Sequence, residues 1–156
     1  MENTNNTEIS PSGDYYQYYK FKQIGGPVTV SGELKKVSPD IKYSAGGSHI
    51  SKTVSTTITH YFSAAVDTSA KKSAVQAGAT IGWEKSASTE TTFTFDLRPG
   101  QKGYIGFTPY YNRVYGDLEL YGNWGDGLIS TTKVYGYSVK VTDDGDADGL
   151  FQFVLT

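Results

Sequence analysis

The feature that most constrains this chain is a period-two alternation running, with one interruption, from Val54 to Leu97. The even positions of the first stretch read Val54, Thr56, Ile58, His60, Phe62, Ala64 and Val66, and the odd positions Ser55, Thr57, Thr59, Tyr61, Ser63 and Ala65. Successive side chains of a strand point to opposite faces, so this pattern predicts a strand with one weakly apolar and one polar face. Asp67 to Ser73 breaks the pattern with charge and small residues, as a turn does. From Val75 the apolar register moves to odd positions: Val75, Ala77, Ala79, Ile81 and Trp83, then Ala87, Phe93, Phe95 and Leu97. Between them lie Gln76, Gly78, Thr80, Gly82, Glu84, Ser86, Ser88, Glu90, Thr92, Thr94 and Asp96, none of them large and apolar. The expectation is a long amphipathic antiparallel hairpin over about residues 50–98. Arms of roughly 16 residues at ~3.3 Å each reach about 50 Å, against ~17–20 Å for an ordinary globular strand. Such length needs a reason.

The rest of the chain reads as strand and turn. Residues 1–13 are polar and aperiodic, which predicts a flexible leader, and residues 14–156 then form a single all-β domain. Pro27 to Gly32, Ile41 to Tyr43, Gly116 to Tyr121, Val134 to Val141 and Leu150 to Leu155 read as strands. Tyr104 to Tyr111 reads as an aromatic strand whose Pro109 suits a sheet edge. No window carries apolar residues at helical spacing between caps, so no helix is expected. The fold class is therefore all-β, an elongated antiparallel sheet or sandwich carrying the long hairpin. At 156 residues the chain buries enough surface to fold without disulfide or metal, and the absence of Cys removes thiol and zinc-knuckle chemistry. A net charge of −2 with scattered Lys and Arg gives no field to gather nucleic acid. No run approaches the ~18 apolar residues of a spanning helix, and no charged n-region precedes an apolar core at the start. The expected localisation is secreted, or released without a recognisable signal peptide.

Catalytic chemistry finds little purchase. His49 and His60 are the only histidines; His60 lies on the apolar register, His49 beside Gly46-Gly47, and there is no Gly-x-Ser-x-Gly elbow. Glu84, Glu90, Asp96, Asp117 and Glu119 lie on strand-like segments, where a solvated face accounts for them better than a glycosidase pair. The expectation is a protein that is not an enzyme. Asp144, Asp146 and Asp148 have the Asp-x-Asp-x-Asp-Gly spacing of a calcium loop, but Leu155 stands where a bidentate Glu would follow. They make a weak Ca²⁺ candidate, the alternative being an aspartate-decorated turn; no other cofactor is implied. Tyr15, Tyr16, Tyr18, Tyr19, Tyr110, Tyr111 and Trp124 offer amphipathic rings that either pack inside or contact a membrane or glycan.

The Ser/Thr-rich alternation, the polar turn, Gly82-Trp83-Glu84-Lys85-Ser86, and Thr94 through the Arg98-Pro99-Gly100-Gln101-Lys102-Gly103 turn together resemble the pore-forming module of aerolysin-like toxins, which include the epsilon-toxin and mosquitocidal-toxin proteins. The resemblance covers roughly residues 28–115. It implies a protomer that assembles with copies of itself and refolds an amphipathic hairpin into a transmembrane β-barrel. On that reading Phe62, Ala64, Val66, Val75, Ala77, Ala79 and Ile81 face lipid, while Ser63, Ala65, Gln76, Gly78 and Thr80 face the lumen. Partners would be further copies of the chain and a membrane lipid or glycan receptor. The alternative is a non-enzymatic secreted or surface β-sandwich that binds glycan or protein through its tyrosines.

Overall fold

The computed structural model describes residues 14–45 and 49–156; the expected leader over residues 1–13 lies outside the described residues. In chain order the elements are β1 (Gln17–Ser31), β2 (Lys35–Lys36), β3 (Ile41–Lys42), β4 (His49–Thr59), β5 (Tyr61–Phe62), α1 (Ser69–Gly78), β6 (Ser86–Asp96), β7 (Lys102–Gly122), β8 (Leu128–Val139) and β9 (Gly149–Leu155). Strand pairing runs β9–β7–β8–β5, with β1, β2 and β3 also on β7, while β4 and β6 form a separate two-stranded ribbon. The all-β class holds, with one short helix.

The described residues divide into two compact units. One comprises Val28–His60, Glu84–Asn112 and Tyr137–Thr156. Its core is Ile58, Phe107, Tyr111, Val139 and Ala147, with Phe151 tilted against Phe107 at 4.5 Å between ring centroids. Strand β9 pairs antiparallel with β7 from Gly149↔Pro109 to Leu155↔Gly103. The ribbon pairs from His49↔Asp96 to Thr59↔Ser86. Its Phe93 and Phe95 meet Phe151 and Phe153 at 6.4 Å and 4.5 Å.

Pro109 does not sit on an edge. It lies within the 21-residue β7, whose Asn112-Arg113-Val114-Tyr115 stretch holds no breaker and joins the two strands expected separately. Its carbonyl accepts from the Gly32 amide at 2.7 Å, just past the end of β1, while the Tyr110 amide donates to the Asp148 carbonyl at 2.9 Å. The missing proline donor therefore falls where the β1 ladder stops.

The other unit comprises the residues up to Pro27, Tyr61–Trp83 and Arg113–Gly136. Its core is Phe21, Val66, Val75, Val114, Leu118 and Val134, with Tyr19, Phe62, Ala74, Ala79, Ile81 and Trp83 packed against it. Here the structure overturns the expected turn at Asp67–Ser73 and the expected strand from Val75: Ser69–Gly78 is an α-helix, and strand resumes only at Ser86. Thr68 caps the helix, its hydroxyl accepting from the Lys71 amide at 3.3 Å. Asp67 and Lys71 form an i,i+4 ion pair at 2.9 Å, and Ala70, Ala74 and Ala77 favour the helix intrinsically. The buried stripe is Lys71, Ala74, Val75 and Gly78, at i, i+3, i+4 and i+7. Only Val75 in that stripe is large and apolar. Gly78 lets the helix touch β1, since a Cβ there would lie 2.4 Å from the Phe21 carbonyl oxygen.

Candidate membrane-active segment

Residues 60–85 join β4 to β6 and hold every position expected to insert. Val66 and Val75 are buried in the core, Phe62, Ala79 and Ile81 pack on it, and Ala64 and Ala77 are exposed. Among the interleaved positions Ser63, Gln76 and Gly78 are half-buried, and Ala65 and Thr80 are exposed. The helix thus dissolves the two-faced arrangement that the sequence carries. The segment is tied down at discrete points. The Ser63 amide donates to the Tyr135 carbonyl at 3.0 Å, and the Tyr135 amide to the Ser63 hydroxyl at 2.9 Å. Thr80 donates its amide to the Gln23 side chain at 2.8 Å, and Phe62 stacks on Trp83 at 5.4 Å. The Lys71 ammonium sits 5.8 Å from the Tyr19 ring centroid, and its hydrogen bond holds the Asp67 carboxyl below the usual 3.8.

The ribbon shows the polar register intact. On its exposed face Ser51, Thr53, Ser55, Thr57 and Thr59 stand opposite Thr94, Thr92, Glu90, Ser88 and Ser86. Hydroxyl pairs bridge it, Thr53 to Thr92 at 2.9 Å and Thr57 to Ser88 at 2.7 Å. At its end His49 Nδ1 lies 3.0 Å from an Asp96 carboxylate oxygen. The opposite face buries Val54, Thr56 and Ile58.

The aromatic positions separate. Tyr15, Tyr16, Tyr18 and Trp124 gather with Tyr121: Tyr15 meets Trp124 edge-on at 5.2 Å, Tyr16 lies 6.3 Å from Tyr18, and Tyr18 stacks on Tyr121 at 5.8 Å. Tyr16 and Trp124 are 60 % and 54 % exposed. Two members were not foreseen. The Lys20 ammonium lies 5.9 Å and 5.7 Å from the Tyr18 and Tyr121 ring centroids, a placement legible in its i+2 spacing from Tyr18. Asp126 accepts from the Tyr15 hydroxyl, which raises the phenol pKa. The remaining tyrosines go elsewhere: Tyr19 packs on the core, Tyr110 is half-buried, and Tyr111 is 7 % exposed within a core, where burial raises its pKa. Tyr111 is therefore corrected from contact residue to core residue.

The acidic turn does not gather ligands. Thr142 donates to the Asp146 carbonyl at 2.8 Å and Asp148 to the Lys140 carbonyl at 2.8 Å, so the backbone is committed to a tight hairpin. Among the described residues no three of His, Asp or Glu converge as a metal site, and Asp144, Asp146 and Asp148 form none. Other candidate acid and base groups are occupied locally: Asp117 pairs with Lys133 at 3.2 Å, Glu119 accepts from Tyr121 at 2.9 Å, and His60 Nδ1 lies 2.8 Å from the Lys85 carbonyl. Compared with protein families, with curated proteins and with solved structures, the chain matches none.

Proposed function

We propose that the chain is the protomer of an oligomeric β-barrel pore, which releases residues 60–85 from the core and zips them into a transmembrane hairpin. The observation that carries this reading is the register of the ribbon. Continued past Thr59↔Ser86 without a slip, the pairing sets Phe62 opposite Trp83, Ala64 opposite Ile81, Val66 opposite Ala79 and Ala70 opposite Val75. Phe62, Ala64, Val66, Ala70, Val75, Ala77, Ala79, Ile81 and Trp83 then share one face. Ser63 opposite Gly82 and Ala65 opposite Thr80 share the other, and Lys72-Ser73 is left as a two-residue turn. A slip of one residue would put the apolar sets of the two arms on opposite faces. The span from Phe62 to Ala70 matches the ~9–11 residues of a tilted barrel strand. Phe62 and Trp83 already stack in the folded chain.

A single hairpin leaves unpaired edges in hydrocarbon, so insertion requires closure by further copies. Amphipathic rings suit a membrane interface or a sugar face, and the cluster of Tyr15, Tyr16, Tyr18 and Trp124 supplies the first contact. No catalytic step is involved. The cluster also favours a second reading, a binding module that docks glycan or protein and stops there.

Dye-loaded liposomes of varied lipid composition, with and without glycolipid, decide between them. The pore reading expects release whose rate rises more steeply than linearly with protein concentration. Binding without release from any of these, or from native membranes, would leave the binding-module reading in its place.

A further inference from the structure

We propose that the conduit this chain builds passes cations in preference to anions, an inference that rests on the pore reading above. The register decides which charges line the lumen. The exposed ribbon face carries Glu90 and Asp96 among hydroxyls, and one step beyond Ser86 the same register reaches Glu84, itself exposed. Over residues 49–65 and 76–96 this register includes no Lys or Arg. Lys52 and Lys85 fall on the opposite register and point away from the lumen. At the turn Asp67 and Lys71 share the lumen register and offset each other, as their ion pair already does. His49, beside Asp96, stands at the far end.

Cyclic assembly repeats each residue once per protomer, so Glu84, Glu90 and Asp96 become stacked rings of carboxylate in a hydroxyl-lined tube. Acidic rings lower the barrier to cations and raise it to anions, and a polar lumen is the usual interior of a membrane barrel. The permeant class is small hydrated inorganic cations.

Reversal potentials in planar bilayers under a KCl gradient test this. The wild-type pore is expected to pass K⁺ several-fold more readily than Cl⁻. The double variant Glu84→Gln, Glu90→Gln should move toward no preference, and Glu84→Lys, Glu90→Lys should invert the sign. Both glutamates are exposed, so these variants retain the fold. Lys52→Glu, on the other face, should leave the sign unchanged. Conductance with anion preference or none, or a double Lys variant that behaves as wild type, would overturn the inference while the pore reading stands. A lack of conductance in every bilayer would overturn the pore reading, and the inference with it.

Discussion

Oxidised Val75→Cys, Gly136→Cys protein will release no dye, and reduction will restore release to the level of the reduced control. A Cβ built on Gly136 lies 3.0 Å from Val75 Cγ1, one bond from the Val75 Cβ, so the two Cβ atoms fall within the ~4.5 Å that a disulfide spans. The chain has no cysteine of its own to compete. Val75 is 0 % exposed and is the only large apolar residue in the buried stripe of α1, so the bond fixes the helix where it is held most firmly. If residues 60–85 must leave the core to become strands, a covalent tie at Val75 stops the process completely. The control is a second disulfide, Thr53→Cys with Thr92→Cys. These residues are direct partners in the ribbon with hydroxyls 2.9 Å apart, and on the pore reading they stay partners after insertion. That tie should leave release intact. Equal release from the oxidised Val75–Gly136 form would show that α1 need not move.

Phe107→Ala will lower unfolding stability by about 3–5 kcal/mol, read as a shift of the urea midpoint at unchanged slope. Phe107 is 1 % exposed, the largest fully buried side chain among the described residues, and it packs on Phe151 at 4.5 Å. Its ring also lies where a Cβ on Gly149 would be, 2.4 Å from its Cζ, so β9 is fitted closely around it. Truncation leaves a cavity that a backbone in register with β7 cannot collapse to fill. Domains of this size have ~5–15 kcal/mol in total, so the loss is a large fraction. Tyr16→Ala, at 60 % exposure, should stay within about 0.5 kcal/mol of wild type. A Phe107→Ala loss no larger than that of Tyr16→Ala would mean that Phe107 is not a core residue.

The strands were legible because their chemistry is written at period two. His49–Thr59 and Ser86–Asp96 lie within a stretch where Ser and Thr interleave with Val, Ile or Phe, while Gly149–Leu155 reads as a strand from its apolar run after an acidic turn. The helix was not legible because its buried stripe is made of a lysine stem, a methyl group and a glycine around one valine. Hydrophobic periodicity cannot see contacts made by Ala74 and Gly78, whereas the Thr68 cap and the Asp67–Lys71 spacing were visible signals. The same residues satisfy a strand pattern, and packing on Phe21 and Val134 decides against it. Tyr111 failed as a contact residue for a related reason: a tyrosine's composition does not say which face of β7 it occupies. Pro109 read as an edge residue because the sequence could not show that β1 ends opposite it.

In the downstream half of residues 60–85 two backbone amides are held by side-chain acceptors. The Thr80 amide is bonded to Gln23, and the Glu84 amide to the hydroxyl of Ser138, which is 0 % exposed. A ladder bond breaks only when a strand parts, but a side-chain acceptor lets go when one rotamer turns. Amide hydrogen exchange should therefore find Thr80 poorly protected and Glu84 well protected, with the gradient running along the chain toward β6. If residues 60–85 leave the core as proposed, Gln23 acts as a latch whose strength sets how long the folded chain waits, from a position outside the hairpin.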